Sequence, residues 1–265
     1  MSTRVEITEG VVFGTTGRRE LRADVFRPPD RADGSLHPGV VFVHGGAWRT
    51  GDRTQLRGYG VLVGRQGFVG MCIEYRLIPE GTYPDNLHDV KAAIRWMRAN
   101  AAELGVDPER IAVEGNSAGA HLALLAAGTS HRSELEGDGG NPGVSSAVRC
   151  VVGIYPPTLF AAGESRRGAV PLMALVDGGG SDDLAREASP LTYVRPGFPP
   201  TMLIHGTHDD VVPAAASLVM YEALIEAGVP AELHMVADQP PGFDATGDLG
   251  RQAADNMVHF FTRYL

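Results

Sequence analysis

From about residue 40 to the C-terminal end, short apolar runs rich in β-branched residues alternate with stretches of helical periodicity. This alternation is typical of a parallel sheet wrapped by helices, because strands covered on both faces are apolar throughout. The predicted strands cover residues 39–45, 69–75, 110–115, 148–155, 201–206 and 231–236. Apolar residues at spacings of three and four predict a helix over 85–104 and a last helix near the C-terminus.

The N-terminal part has a different pattern. The runs "RVEITEGVVFG" and "LRADVFRP" flank the turn-rich "TTGRRE", which predicts that the sheet opens with an antiparallel hairpin or meander. A chain of 265 residues is long enough for one large core, so we expect a single α/β domain over 1–265 with helices on both faces of the sheet. The segment 156–200 is rich in Gly, Pro and Ser and is a candidate lid.

Composition excludes several classes of function. A formal net charge of −9 argues against a nucleic-acid partner, which needs clustered Lys and Arg. Cys72 and Cys150 lie inside predicted strands and are expected to be buried apolar residues. No stretch approaches the ~18 apolar residues of a membrane span, and the N-terminus resembles no leader, so we expect a cytoplasmic protein. No metal-ligand spacing or phosphate loop is present, and no cofactor is expected.

The strongest chemical signal is Gly115-Asn116-Ser117-Ala118-Gly119, between a predicted strand and an Ala/Leu-rich helix. In a nucleophile elbow the serine sits on a tight strand-to-helix turn, and the flanking glycines avoid side-chain clashes. A bare G-x-S-x-G is a weak match, but here both flanking elements are present. The pattern therefore predicts Ser117 as a nucleophile at the carboxyl end of a strand.

A glycine-rich loop, "VHGGAWRTGD", follows an earlier predicted strand. Reaction at an acyl carbon places negative charge on the carbonyl oxygen, and backbone N–H groups of such loops can bind that oxygen. We expect the N–H groups of Gly46, Ala47 and Ala118 to form this oxyanion hole. His44 is expected to organise the loop through hydrogen bonds, and a tight turn without catalytic meaning is the alternative.

A third loop, "LIHGTHDDVVP", follows a predicted strand downstream of Ser117. A carboxylate at this position can accept a hydrogen bond from an imidazole N–H and hold the ring in one orientation. Asp209 is the predicted acid, and Asp210 is the second choice. Loop acids that merely cap turns are the alternative interpretation.

Taken together, "HGGAW", "EYRLIPEGTYPDNLHDVKAAIRW", "GNSAGAHLAL" and "HGTHDDVVP" resemble the α/β-hydrolase fold in its carboxylesterase branch. The similarity is to hormone-sensitive-lipase-like and kynurenine-formamidase-like enzymes, and it runs from about residue 38 to the C-terminus. It implies Ser117 as nucleophile, Asp209 as acid and the 45–47 loop as oxyanion hole.

The chain departs from this family at the general base. The family places a histidine after the last strand, commonly followed by Gly-Phe, and here Pro241 precedes Gly242 and Phe243. Proline has no side-chain acceptor for the serine proton. The family's triad is therefore incomplete as written. Because removing the base of subtilisin lowers kcat by about a millionfold, we expect ester turnover close to undetectable if no other residue substitutes.

Other residues could substitute for the base. His208, beside Asp209, is the best candidate; His121, one helical turn after Ser117, is expected to pack in the core. Asp244 is a weak candidate, because a carboxylate with a pKa near ~4 is poorly matched to a serine proton. We therefore expect a serine hydrolase acting on a small-molecule ester or amide. The alternatives are a non-hydrolytic elimination or cyclisation on the same fold, or a ligand-binding protein.

Overall fold

The structure is a computed structural model that describes residues 4–17, 19–29, 34–161, 167–171, 175, 180–245 and 247–265. Its strands are β1 (Glu6–Thr16), β2 (Arg19–Arg27), β3 (His37–Val43), β4 (Val69–Ile73), β5 (Val106–Asn116), β6 (Cys150–Ile154), β7 (Leu159–Ala161), β8 (Ala169–Pro171), β9 (Thr201–Gly206) and β10 (Ala231–Val236). Its α-helices are α1 (Arg57–Arg65), α2 (Asp85–Ala99), α3 (Ala101–Leu104), α4 (Ala118–Gly128), α5 (Asp182–Glu187), α6 (Ala215–Glu226) and α7 (Gly247–Tyr264).

Eight strands form one sheet in the order β1-β2-β4-β3-β5-β6-β9-β10. The pairs β1/β2 and β2/β4 are antiparallel, and the remaining pairs of this sheet are parallel. The predicted architecture, a mostly parallel sheet with an antiparallel start, is confirmed. Because the central strands run parallel, their carboxyl ends meet at one edge, where α/β folds bind ligands.

Helices cover both faces of the sheet, and each face has its own apolar core. Helices α2, α4 and α6 pack on one face, whereas α1 and α7 pack on the other. Every residue of α4 is buried, which explains why its sequence is Ala- and Leu-rich on all sides instead of amphipathic. None of the helices in the described part of the chain is both long and apolar enough to cross a membrane.

The helix predicted over 85–104 is interrupted at Asn100. The side-chain amide of Asn100 donates to the carbonyl of Trp96 at 2.9 Å, a bond that competes with regular helix pairing. The backbone leaves helical geometry at this residue (φ −101°, ψ 18°) and resumes as the short α3. Ala101 and Leu104 of α3 are still buried in the core, so the spacing of apolar residues in the sequence did not reveal the interruption.

One carboxylate is buried at the antiparallel end of the sheet. Asp24 on β2 accepts hydrogen bonds from Arg53 (3.0 Å), Arg57 (2.8 Å) and the Gly10 N–H (2.9 Å). Burial alone would raise the pKa of Asp24, but these donors hold it below its usual value. The group therefore anchors β2 to the segment that leads into α1.

The candidate lid, 156–200, contains the parallel pair β7/β8 and α5. Residues 162–166, 172–174 and 176–179 of this segment lie outside the described residues. The ring of Phe160 on β7 lies 5.9 Å from that of Trp48 and 5.0 Å from that of His121. This part of the segment thus packs beside the glycine-rich loop, and its role as a lid stays a prediction.

Candidate active site

Ser117 lies at the turn between β5 and α4 with left-handed backbone angles (φ 51°, ψ −117°), and its N–H donates to Ile154 O at 2.8 Å. Steric contacts explain both glycines of the motif. A Cβ on Gly115 would lie 2.4 Å from the Gly119 carbonyl carbon, and one on Gly119 would lie 2.0 Å from Val43 O. Only glycine fits at these two positions, and the serine is held at the sheet edge as in a nucleophile elbow.

The glycine-rich loop crosses directly over Ser117. A Cβ on Gly45 would lie 3.4 Å from the Cβ of Ser117. Gly46 (φ 115°) and Ala47 (φ 50°) turn the chain sharply just after this point. Ala118 is the first residue of α4, so its N–H has no partner within the helix. The structure thus brings the loop and the start of α4 together at the candidate nucleophile.

A buried aromatic pair anchors this loop to α4. Trp48 Nε1 donates to His121 Nδ1 at 3.2 Å, and His121 Nε2 donates to Ala188 O at 2.7 Å. Burial lowers the pKa of His121 to about 4, so the ring is neutral with both nitrogens engaged. His121 therefore positions Trp48 and has no free nitrogen for Ser117. Sequence reasoning did not identify Trp48, which is 73 residues from its partner.

Asp209 is the buried acid of the third loop, whereas Asp210 is exposed. Its side chain is 1% exposed, and Oδ1 accepts the N–H groups of Val211 (2.9 Å) and Val212 (2.8 Å). Burial would raise the pKa of Asp209, but His205 and these two N–H groups hold it below its usual value.

The second oxygen of Asp209 is less well satisfied. Oδ2 is buried and lies 3.4 Å from Nε2 of His205, whose proton is directed to Val212 O at 3.0 Å. No donor among the described residues meets Oδ2 at hydrogen-bonding geometry. A carboxylate oxygen fixed in this way can accept one more hydrogen bond.

Ser117 opens onto a cavity of about 750 Å³. Gly45, Gly46 and Pro241 line the same cavity, so the residue at the expected base position does lie with the candidate nucleophile. Among the described residues that line the cavity there is no histidine and no residue of 156–200.

His208 is the sequence candidate that the geometry does not support. Its side chain is 68% exposed, and its Nδ1 lies 3.5 Å from Asp238 Oδ1. It does not line the described cavity wall. As a neighbour of a buried Asp209 on a tight turn, its side chain points to the opposite side, toward solvent.

Asp244, the weak candidate base of the sequence analysis, lies in another part of the cavity wall, within a polar cluster that the sequence did not predict. Asp244 accepts hydrogen bonds from Tyr59 Oη (2.9 Å), Tyr155 Oη (2.5 Å) and Asn116 Nδ2. All four residues line the cavity, and Asn116 precedes Ser117 directly. Burial and the nearby Asp244 raise the pKa values of both tyrosines, so both hydroxyls remain protonated donors.

A second acid lies behind this cluster. Glu114 on β5 is 0% exposed, and neither carboxylate oxygen has a hydrogen-bond partner among the described residues. Burial and the charge of Asp244 raise its pKa well above the usual value. Burial without partners therefore favours the uncharged, protonated form of this side chain, and a charged carboxylate would be costly there.

Comparison with known proteins agrees with this geometry. The BD-FAE family model matches residues 23–224, which is most of the chain and includes the elbow and the glycine-rich loop. The chain belongs to the BD-FAE family. It is thereby a member of the α/β-hydrolase carboxylesterases, as the sequence motifs predicted.

Its relatives are named as esterases. The BD-FAE chain is 35% identical over 235 residues to Esterase LipQ of Mycobacterium tuberculosis, covering 83% of this chain and 53% of LipQ. It is 32% identical over 247 residues to the probable isoprenylcysteine alpha-carbonyl methylesterase ICMEL1 of Oryza sativa subsp. japonica, covering 87% and 56%. The chain thus spans about half the length of the curated relatives it matches.

Solved structures extend the similarity to a whole chain. The apo form of Thermogutta terrifontis esterase 2 superimposes with a TM-score of 0.84 at 27% identity, covering 98% of this chain and 94% of that one. The propionate-bound form of the same esterase gives a TM-score of 0.83 at 28% identity. These are α/β-hydrolase esterases, which agrees with the sheet order and the elbow described above.

Proposed function

We propose that the chain is a carboxylesterase-type serine hydrolase that acts on small esters or amides through Ser117, with Pro241 at the position of the base. The observation that carries this proposal is the strained elbow at Ser117, which opens onto a cavity beneath the 45–47 loop. A non-glycine residue in this conformation costs of order 1–3 kcal/mol, which the fold tolerates where the side chain has a use.

The chemistry follows from the positions of these groups. Ser117 Oγ attacks the acyl carbon, and the electrons of the carbonyl π bond move to the oxygen, which becomes an oxyanion. The N–H groups of Gly46, Ala47 and Ala118 are proposed to donate to this oxyanion. Collapse of the intermediate expels the alcohol or amine, which takes up a proton, and water then hydrolyses the acyl-serine.

The proton of Ser117 is where this chain differs from its family. Asp209 Oδ2 offers a buried acceptor that no described donor fills, as expected if an imidazole N–H belonged there. Pro241 supplies none, so the proton passes to solvent or to the substrate itself. We therefore propose very slow turnover, because a positioned general base is worth at least about 10²- to 10⁴-fold in rate and about a millionfold in subtilisin.

The comparisons support small acyl groups as substrates. Structures of Thermogutta terrifontis esterase 2 hold propionate and butyrate, and others are phosphorylated by paraoxon or phosphonylated by sarin. A cavity of about 750 Å³ is large enough for an ester of this size.

The test is hydrolysis of p-nitrophenyl propionate by the unmodified protein and by Ser117→Ala, Pro241→His and Pro240→His. We expect slow hydrolysis that Ser117→Ala abolishes. Pro241→His should raise kcat/KM about 10²- to 10⁴-fold, because the new imidazole can donate to Asp209 and accept from Ser117. Pro240→His, one residue away and exposed, is the matched control and should give no gain.

Two results would contradict the proposal. Equal rates for the unmodified protein and Ser117→Ala would remove Ser117 from the reaction. A folded Pro241→His variant that is no faster than Pro240→His would show that the loop does not place its side chain between Asp209 and Ser117. Either result would favour a ligand-binding or non-hydrolytic role for the cavity.

A further inference from the structure

An acceptor atom beside Ser117 has no donor. Asn116 is 5% exposed and lines the cavity, and its Oδ1 has no hydrogen-bond partner among the described residues. Its Nδ2 donates to Asp244 Oδ2 and to Tyr155 Oη at 3.2 Å. Turning the amide over would set Oδ1 against a carboxylate, so this network fixes the orientation. Oδ1 is therefore left as an unsatisfied acceptor.

The carboxylate of Asp244, beside Asn116, can accept a further hydrogen bond. A carboxylate has about four acceptor positions, and the described donors fill two on Oδ2 and one on Oδ1. The three donors are two hydroxyls and one amide, so none of them brings a positive charge to this carboxylate. No Lys, Arg or His among the described residues forms an ion pair with Asp244. Arg251 also lines the cavity but is exposed on α7.

We propose that this group, the ammonium site of Asn116, Asp244, Tyr59 and Tyr155, binds a protonated primary amine carried by the substrate. An ammonium group has three N–H donors and a positive charge. These match the unpartnered Oδ1 of Asn116 and the remaining acceptor position of a carboxylate that pairs with no cation among the described residues. The substrate class is then an ester or amide that bears a primary ammonium group, an inference that rests on the proposed function.

The remaining wall agrees with an aliphatic linker between the ammonium and the reacting carbonyl. Leu56 and Leu62 line the cavity, and their apolar side chains can pack against methylene groups. A quaternary ammonium has no N–H donor for Asn116 Oδ1, and a carboxylate ligand would face Asp244 directly. The site should therefore prefer a primary ammonium over both.

Calorimetric titration of the unmodified protein with n-butylammonium and with 1-butanol tests this proposal, because the two probes have the same chain length and differ in charge and donors. At pH 7 and low salt we expect n-butylammonium to bind at least about tenfold more tightly, equivalent to about 1.4 kcal/mol. Equal affinities would overturn the proposal, and this comparison needs no variant.

Variants then locate the binding. Asp244→Asn should abolish the preference for n-butylammonium. Asp183→Asn, the same change at a side chain that is 89% exposed, should leave the preference intact. Arg251→Gln removes the cation of the cavity wall and should leave the preference equal or larger. A preference that survives Asp244→Asn, or that disappears equally in Asp183→Asn, would place the amine elsewhere and overturn the proposal.

The same titration separates this proposal from the proposed function. Amine binding does not need Ser117, so Ser117→Ala should bind n-butylammonium like the unmodified protein. If ester hydrolysis proves independent of Ser117 while amine binding depends on Asp244, only the proposed function fails. If hydrolysis depends on Ser117 while the two probes bind equally, only the ammonium site fails.

Discussion

Replacing Glu114 by Gln should stabilise the protein, and the gain should grow with pH. Glu114 is fully buried without partners, and its pKa is raised well above 4.5, the usual value. As pH rises above about 4.5, the unfolded chain releases this proton while the folded chain keeps it. Stability from this group is therefore fully present below that pH and is lost as pH rises toward the folded pKa. Glutamine has the same shape and no proton to release.

The size of the effect follows from proton linkage. While Glu114 stays protonated in the folded state, each pH unit above about 4.5 costs the unmodified protein about 1.36 kcal/mol relative to Glu114→Gln. Over two pH units in which folded Glu114 stays protonated, the difference in unfolding free energy should widen by about 2.7 kcal/mol. Other titrating groups cancel, because they are common to both proteins.

Urea denaturation at pH 5, 6 and 7, followed by circular dichroism, measures this difference. Glu222→Gln is the matched control, because Glu222 is an exposed glutamate on α6. Its unfolding free energy should follow that of the unmodified protein within about 0.5 kcal/mol at each pH. If Glu114→Gln also runs parallel to the unmodified protein, Glu114 is ionised in the folded state and has a donor or water that the described contacts lack.

Three further predictions concern the site and the sheet. Gly119→Ala forces a Cβ to 2.0 Å from Val43 O, so it should lower the unfolding free energy by about 3 kcal/mol or more and abolish Ser117 labelling by a fluorophosphonate. Trp48→Phe leaves His121 Nδ1 buried without a donor, which should cost about 1–3 kcal/mol in urea denaturation. Asp24→Asn should lower the unfolding free energy by about 1–3 kcal/mol at pH 7. Because the pKa of folded Asp24 is below its usual value, the carboxylate stabilises the fold only above about pH 4, and the difference from the unmodified protein should disappear at lower pH. Parallel stability curves for Asp24→Asn and the unmodified protein between pH 3 and pH 7 would contradict the last prediction.

Most of the fold could be predicted from local patterns of apolar residues in the sequence. Runs such as "GVVFV" and "TMLI" have apolar residues at every position, and each proved to be a strand covered on both faces. The elbow was predictable for the same reason, since Ser117 and the two glycines that its turn requires lie within five consecutive residues. What the sequence pattern could not show was the interruption at Asn100, where a single side-chain hydrogen bond decides the outcome.

The Asp244 cluster was beyond sequence reasoning for a different reason. Its donors Tyr59, Asn116 and Tyr155 lie 185, 128 and 89 residues from Asp244 along the chain. They come from α1, the end of β5 and the end of β6, so no spacing or motif connects them. Only the parallel arrangement, which gathers strand ends at one edge, brings the four side chains together.

The backbone at this edge also bears on how the protein could evolve. Ala47, Trp48, Ser117 and Tyr155 all have positive φ, and they follow three adjacent strands, β3, β5 and β6. Each costs of order 1–3 kcal/mol relative to a relaxed residue, and glycine would relieve most of that cost. Selection for stability alone would therefore favour glycine at these four positions. A chain that keeps all four of these side chains therefore accepts a lower folding stability at the edge of the sheet where Ser117 lies.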